Sequence, residues 1–327
     1  MATLEVPLTL MNLDGVKKSL ERRYTLIDAG EHDPKVIVVV NGKGGVGKSS
    51  LSSAFGVALS KLGHQVLLME LDEQGNNCED LGISNSQMND RGAAQLAAVL
   101  EGKPLTPTGE ARPNLHVVPG GEMLEEVVEE LYCQRRAAKR HTDPDDRDAW
   151  MGMYASVIDG VRDDYDVIIL DVAPGSDVLQ LAALVAADYV LIPSKSDPSS
   201  RKGLRAVAKR FAAASEINDV LQLLGVVLFA TNSSATKVQD KIRQHLEEDL
   251  QGAAPLFEQT IRHVEAAAVE ARLRGRVPQE LRTSRELPPP LLKSMKALAG
   301  DYQSLTVEVL QEMTARRQAK AAGGEQA

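Results

Sequence analysis

The chain has few aromatic residues and almost no cysteine. Four Phe, one Trp and six Tyr are spread over 327 residues, which argues against a protein that stacks single-stranded nucleic acid on aromatic faces. The two cysteines, Cys78 and Cys133, lie far apart and form no CxxC pair. That spacing argues against both a disulfide scaffold and a structural zinc site.

Long apolar runs and an excess of positive charge are also absent. The longest aliphatic run, Val36–Val40, is much shorter than the roughly 20 apolar residues that span a bilayer. The first twelve residues have no basic stretch ahead of an apolar one, so we expect no secretory signal and a cytoplasmic location. The formal net charge of −9 argues against a uniformly basic nucleic-acid binder, but it permits a local basic patch.

What the chain does have is a regular alternation of strand and helix patterns. The runs Lys35–Val40, Val66–Leu71 and Val167–Leu170 are uniformly apolar apart from their ends, which is typical of strands buried on both faces. Helical patterns lie between them, so the sequence predicts an α/β fold with a mostly parallel sheet and helices on both faces. Further strands are predicted at 115–118, 189–192, 225–230 and 256–261, and helices at 48–62, 91–101, 121–140, 149–162, 176–187, 199–214, 236–249 and 291–309.

Composition divides the chain into three parts. Residues 1–34 form an N-terminal extension with one predicted amphipathic helix, and residues 35–314 form a single domain. Residues 315–327 are predicted to be a disordered basic tail. The apolar positions at helical spacing in the extension are Leu13, Val16, Leu20, Tyr24 and Ile27.

The segment Gly42–Ser49, GKGGVGKS, fits the pattern G-x-x-x-x-G-K-[ST] and connects a predicted strand to a predicted helix. Glycines let backbone N–H groups wrap a phosphate, Lys48 would reach the β- and γ-phosphates of ATP, and the Ser49 hydroxyl would bind Mg²⁺. The alternative is a glycine turn with an incidental lysine. The motif and its context favour a P-loop NTPase domain. The predicted nucleotide-binding residues are Gly42, Lys43, Gly44, Gly45, Val46, Gly47, Lys48, Ser49 and Ser50, together with Asn232 near the adenine by position alone.

Two carboxylates follow predicted strands and are candidates for the chemistry. Asp171 ends an apolar strand, which is where P-loop NTPases carry the acid that holds the Mg²⁺ shell. Its alternative role is to cap the next helix. Asp72 lies just beyond Val66–Leu71, where it could bind the metal shell or position the attacking water, or simply form a turn. Alternation places Glu70 and Asp72 on one face of that strand.

These motifs resemble those of one family. Gly42–Ser49, with Lys43 at the second motif position, resembles the deviant Walker A box of the ParA/MinD ATPases. The segment 66–76, VLLMELDEQGN, is similar to the family's switch I strand, and 165–175, YDVIILDVAPG, to its Walker B strand. Glu70 replaces the first of the two aspartates usual in that strand, and Asp72 matches the second. The segments 112–124, 187–204 and 224–232 also match in order.

The resemblance implies a weak Mg²⁺-dependent ATPase that forms a homodimer around two ATP molecules. Lys43 would contact the partner's nucleotide, Asp72 would position water, and Asp171 would be the Walker B acid. The ATP-bound dimer would bind double-stranded DNA without sequence preference and associate with the nucleoid. A ParB-type centromere-binding protein would stimulate hydrolysis, as in plasmid or chromosome partition.

Basic residues offer candidate DNA contacts. Arg262 falls near a position where the family has a DNA-contacting arginine, and Arg201, Lys202 and Arg205 crowd one predicted helix. Phosphate contacts need such residues on one face, although charged clusters are commonly ordinary solvated surface.

Three other functions are alternatives. A MinD-like membrane-associated ATPase needs an amphipathic C-terminal helix with large apolar residues, and the chain after Val309 has few, so no membrane partner is predicted. An iron–sulfur relative needs a cysteine soon after Walker B, and residues 172–187 contain none. A non-catalytic ATP-binding scaffold remains if Asp72 does not position water.

Overall fold

The structure is a computed structural model. It describes residues 13–143, 147–195, 198–231, 241–244, 246–248 and 255–324.

One eight-stranded sheet organises the chain, in the order β3-β4-β2-β5-β1-β6-β7-β8. Every neighbouring pair is parallel except β3 and β4, which are antiparallel at one edge. The predicted mostly parallel sheet is thus confirmed. The strands are β1 Val36–Val39, β2 Val66–Leu71, β3 Gly109–Arg112, β4 Leu115–Val118, β5 Val167–Val172, β6 Tyr189–Lys195, β7 Gln222–Thr231 and β8 Ile261–Arg262.

Helices cover both faces of the sheet, which explains the uniformly apolar strands. In β1, Val36 and Val38 enter one core layer, whereas Ile37 and Val39 enter the other. Helices on the first layer are α1 Leu13–Asp28, α4 Ala93–Leu100, α5 Leu124–Ala138, α6 Met153–Asp159, α7 Asp177–Ala186 and α8 Pro198–Ser215. Helices on the second are α2 Lys48–Lys61, α3 Asn76–Asp80, α9 Glu265–Leu273, α10 Pro278–Leu281 and α11 Pro289–Gly324.

The predicted helix of the N-terminal extension is present as α1, and buried charges tie it to the sheet. Arg23 donates to Asp188 Oδ1 at 3.0 Å, and His32 Nε2 lies 2.7 Å from the same oxygen. Arg162 donates to Asp188 Oδ2 at 2.7 Å, and two backbone N–H groups at the start of β1 also donate to it. One buried carboxylate therefore joins the extension, β1 and β6.

Several elements differ from the predictions. Of the tail predicted to be disordered, residues 315–324 are helical, because α11 continues to Gly324. Residues 315–322, ARRQAKAA, are mostly good helix formers, and Arg316 donates to Glu312 and Gln222. The predicted strand 256–261 is reduced to one bridge at Leu256 and the short β8.

Two short polar elements, β3 and α3, were not predicted. The helix predicted at 149–162 is a 3₁₀ turn, Ala149–Gly152, followed by α6. Of the helix predicted at 236–249, residues 241–244 and 246–248 are helical, and the rest lies outside the described residues.

Candidate nucleotide-binding site

The glycine-rich loop leaves β1 and enters α2, as the motif predicts. Gly45 and Gly47 have φ values of 67° and 90°, which residues with a Cβ rarely adopt. Gly47 is the N-cap of α2, and a Cβ on it would overlap the ring of Phe229. The first N–H groups of α2 therefore open onto the loop, where helix N-termini attract phosphate.

Asn41, the residue before the motif, braces the start of the loop. Its Nδ2 donates to the carbonyl of Pro193 at 2.7 Å, and its Oδ1 accepts from the backbone N–H of Lys43 at 2.9 Å. A Cβ on Gly203 of α8 would overlap the same Oδ1. Sequence reasoning missed Asn41; a buried amide at the end of a strand was the available signal.

Lys48 is buried beneath the loop. Its Nζ donates to the carbonyl of Lys43 at 3.4 Å. Burial lowers the pKa of Lys48, and the nearby Asp171 and Asp72 carboxylates oppose that shift. The side chain thus stands between the loop and both predicted acids.

Asp171 and Glu70 are partners in the register of β5 and β2. Burial raises the pKa of Asp171 to about 7, although a hydrogen bond with Ser49 and the charge of Lys48 counteract the shift. Burial also raises the pKa of Glu70 well above its usual range, and Asp171 adds to the effect. The structure therefore brings Asp171 and Ser49 together, with a second carboxyl group beside them.

Asn77 of α3 connects these carboxyl groups, and sequence reasoning missed it. Its Nδ2 donates to Asp171 Oδ2 at 2.6 Å, and its backbone N–H donates to Glu70 Oε1 at 3.0 Å. Its Oδ1 accepts from the Ser53 hydroxyl at 2.9 Å. Asn77 thus holds Asp171 with its side chain and Glu70 with its backbone, and no local sequence signal distinguished it from a loop residue.

Asp72 follows β2 and lines a cavity beside the glycine-rich loop, and backbone N–H groups hold it in place. Its carbonyl accepts from the N–H of Gly121 at 3.0 Å, and a Cβ on Gly120 would overlap that carbonyl. Its Oδ1 accepts from the N–H of Gln74 at 2.9 Å. The Pro-Gly-Gly turn after β4 thus supports the loop that carries Asp72.

A cavity of about 510 Å³ opens beside the loop, a size typical of small-molecule and cofactor sites. Its lining includes Gly44, Lys48, Ser49 and Asp72. It also includes residues of β7, α9 and the segment between β8 and α9: Phe229, Ala230, His263, Ala268, Val269 and Arg272.

The donor set beside the cavity suits Mg²⁺. Asp171 Oδ1 and Glu70 Oε2 are buried and accept no hydrogen bond within the described part of the chain. Over the same residues, no three His, Cys, Asp or Glu side chains form a metal-holding group. Mg²⁺ prefers oxygen ligands and usually takes only one or two carboxylates, completing its shell with water and phosphate. Ser49 and Asp171, with Asp72 also lining the cavity, fit that requirement.

The remaining predicted site residues are scattered. Arg262 donates through Nε and Nη2 to Asp301 at 2.6 and 2.7 Å, so much of its charge is compensated. Lys202 and Arg205 are exposed on α8, whereas the side chain of Arg201 is not among those that the structure describes. Asn232 also lies outside the described residues, so its contact with adenine stays a prediction.

Comparisons with known proteins place the chain in a family. An AAA domain family model matches residues 34–223. The chromosome partitioning protein ParA of Caulobacter vibrioides is 30% identical over 220 residues, which cover 64% of this chain and 76% of that protein.

Solved structures share the fold. Apo McdA from Cyanothece superposes with a TM-score of 0.63 at 19% identity, covering 82% of this chain and 99% of that one. MinD from Aquifex aeolicus gives a TM-score of 0.54 at 20% identity, covering 84% and 97%. Among the described helices, none has the length and apolar character needed to cross a bilayer. The chain belongs to the ParA/MinD-type family of P-loop partitioning ATPases.

Proposed function

We propose that this protein is an ATP-dependent DNA-partitioning ATPase that works as a nucleotide-bound homodimer. The observation that carries the proposal is that Lys48, Ser49 and Asp72 line one cavity at the end of the glycine-rich loop, with the buried Asp171 beside Ser49 and Lys48. The partitioning role is supported by the similarity to ParA of Caulobacter vibrioides.

In the proposed reaction, the loop N–H groups and Lys48 bind the β- and γ-phosphates of ATP. Bound Mg²⁺ would neutralise charge on the phosphates, and Ser49 and Asp171 are the residues that would hold it. Asp72 would orient the attacking water, because its carboxylate borders the cavity on a loop braced from outside. Positioning and charge stabilisation account for most of the catalysis in phosphoryl transfer.

The second copy is proposed to supply Lys43. Its side chain is half-buried in the loop, and it does not line the cavity of its own chain. Across a two-fold interface the ammonium group would face the other subunit's nucleotide. Pairing would then depend on ATP, and hydrolysis would separate the copies.

Duplex DNA is the proposed partner of the dimer, with the nucleoid as its location. Exposed cations, among them Lys61, Arg276 and Arg282, border a cleft of about 670 Å³ on the α2 face. Lys202 and Arg205 are exposed on the opposite layer. Near these cations the surface is locally positive despite a net charge of −9, and a dimer doubles the number of cations available to DNA phosphates. A ParB-type protein is proposed to stimulate hydrolysis.

A mobility shift on a duplex of arbitrary sequence tests this function. We expect the full-length protein to shift the duplex with ATP or a non-hydrolysable analogue and Mg²⁺, but not with ADP. The shift should weaken steeply with salt, as phosphate contacts require. As a control, the Lys48→Ala variant should shift the duplex to the same extent with ATP, with the analogue and with ADP. Equal binding with ADP and ATP, or no binding in any state, would contradict the proposal.

A further inference from the structure

Arg272 joins the wall of the nucleotide cavity to a buried carboxylate. It lies in the last turn of α9, and its side chain lines the cavity together with Ala268 and Val269. Its Nε donates to Asp80 Oδ1 at 2.7 Å. The Arg272 side chain is 40% exposed, whereas that of Asp80 is 9% exposed. One end of the guanidinium is therefore fixed, and the group borders the cavity.

The terminal nitrogens of Arg272 have capacity for a ligand. Within the described ranges, no hydrogen bond from either terminal nitrogen to a protein acceptor is found, and the carboxylate of Glu79 lies 3.9 Å from Nε. A guanidinium carries five N–H donors and no acceptor. Nucleotides present many oxygen and nitrogen acceptors, so a nucleotide in this cavity is a suitable partner for the unused donors.

Asp80 connects Arg272 to the candidate catalytic residues through α3. It is the last residue of α3, a helix of only five residues that begins directly after the loop of Asp72. Asn77, one turn earlier in α3, holds Asp171 and Glu70. A shift of α3 would therefore move the loop of Asp72 and the amide on Asp171 together.

We propose that Arg272 contacts the bound nucleotide and, through Asp80 and α3, positions Asp72 and Asp171 for hydrolysis. This inference rests on the proposed function and adds to it a nucleotide-contacting residue that is also a positioning residue. When the cavity is filled, both ends of the guanidinium are bound, and α3 is fixed between α9 and the acids. When it is empty, only the bond to Asp80 remains.

The test is a titration of the full-length protein with a fluorescent ATP analogue, followed by single-turnover hydrolysis. Arg272→Ala should raise the Kd about tenfold, since it removes a charge-assisted hydrogen bond to the ligand. The Kd of Arg272→Lys should lie between those of wild type and Arg272→Ala, because lysine keeps the positive charge but lacks the planar, forked guanidinium. Asp80→Asn should change the Kd less than threefold but slow the single turnover severalfold.

Double variants separate positioning from simple structural support. In Arg272→Ala combined with Asp80→Asn, the single-turnover rate should be no slower than in the slower single variant, because both changes break one link. If Arg272→Ala alone leaves Asp80 as an uncompensated buried charge and prevents folding, the double variant removes that charge and still reports the Kd.

Arg274→Ala is the matched control, because Arg274 lies one residue after α9 and pairs only with Glu270 and Glu286 in the described part of the chain. It should leave both Kd and rate unchanged. The inference is overturned, while the proposed function stands, if wild type binds ATP and Arg272→Ala binds it equally well. It is also overturned if the rate effects of Arg272→Ala and Asp80→Asn add in the double variant. If wild type binds no ATP, the inference fails together with the proposed function.

Discussion

Gly47 packs directly against the ring of Phe229, a residue that lies near the end of β7. The contact joins the glycine-rich loop to β7, and both residues line the cavity. It also explains why a glycine is needed at position 47 for space as well as for its φ of 90°.

Replacing Gly47 should therefore cost more than replacing Gly45. Gly47→Ala forces a residue with a Cβ into a left-handed conformation and against an aromatic ring, which should lower the free energy of unfolding by about 2–5 kcal/mol. Gly45→Ala has the backbone strain without a neighbour within 4 Å, so about 1–2 kcal/mol is expected. Urea unfolding measures both. The cost of Gly47→Ala should shrink in a Phe229→Ala background; an unchanged cost would show that the ring is not the obstacle.

Asp72 is expected to act in turnover and not in binding. Asp72→Ala should keep nucleotide affinity within a few-fold and lower the rate of ATP hydrolysis by about 10²–10⁴-fold, the usual range for loss of a group that directs proton transfer or water. The neighbouring Glu73→Gln is the control and should leave turnover near wild type. Normal hydrolysis by Asp72→Ala would assign the positioning of water to another residue.

Asp188 should make the fold sensitive to acid. Burial on its own would raise its pKa, but His32, Arg162 and Arg23 together hold the pKa well below the ordinary 3.8. The unfolded chain then takes up more protons than the folded one as the pH falls below that ordinary value. The stabilisation is complete above it and is lost progressively below it.

Asp188→Asn should accordingly lower the free energy of unfolding at pH 7 by about 3–5 kcal/mol, because it strands buried cations. The gap between wild type and variant should narrow as the pH is lowered below 3.8. The exposed Asp33→Asn serves as a control with a change of about 0.5 kcal/mol or less. A gap that stays constant with pH would mean that Asp188 carries no shifted pKa.

The sequence predicted the parts of the fold that local chemistry decides. Uniformly apolar runs located β1, β2 and β5, and the glycine pattern located the loop before α2. Elements that depend on distant partners were not recognised: β3, GEAR, is a polar edge strand, and α3, NNCED, has no apolar period.

The same reason explains the residues that were missed at the site. Asn77 acts on Asp171, 94 positions later in the chain, and Asn41 acts on Pro193, 152 positions later. Only the assembled sheet brings such pairs together. The helical end of α11 was missed although its residues favour helix, and its Arg316 also donates to the distant Gln222 of β7.

Two copies of the chain are proposed to bind nucleotide between them, with Lys43 of each copy contacting the nucleotide of the other. Sedimentation velocity with a non-hydrolysable ATP analogue and Mg²⁺ distinguishes paired from single chains. Wild type should sediment as a dimer with the analogue and as a monomer with ADP, whereas Lys43→Gln should bind the analogue and remain a monomer. A wild-type monomer at saturating analogue, or a Lys43→Gln dimer as stable as wild type, would contradict the account.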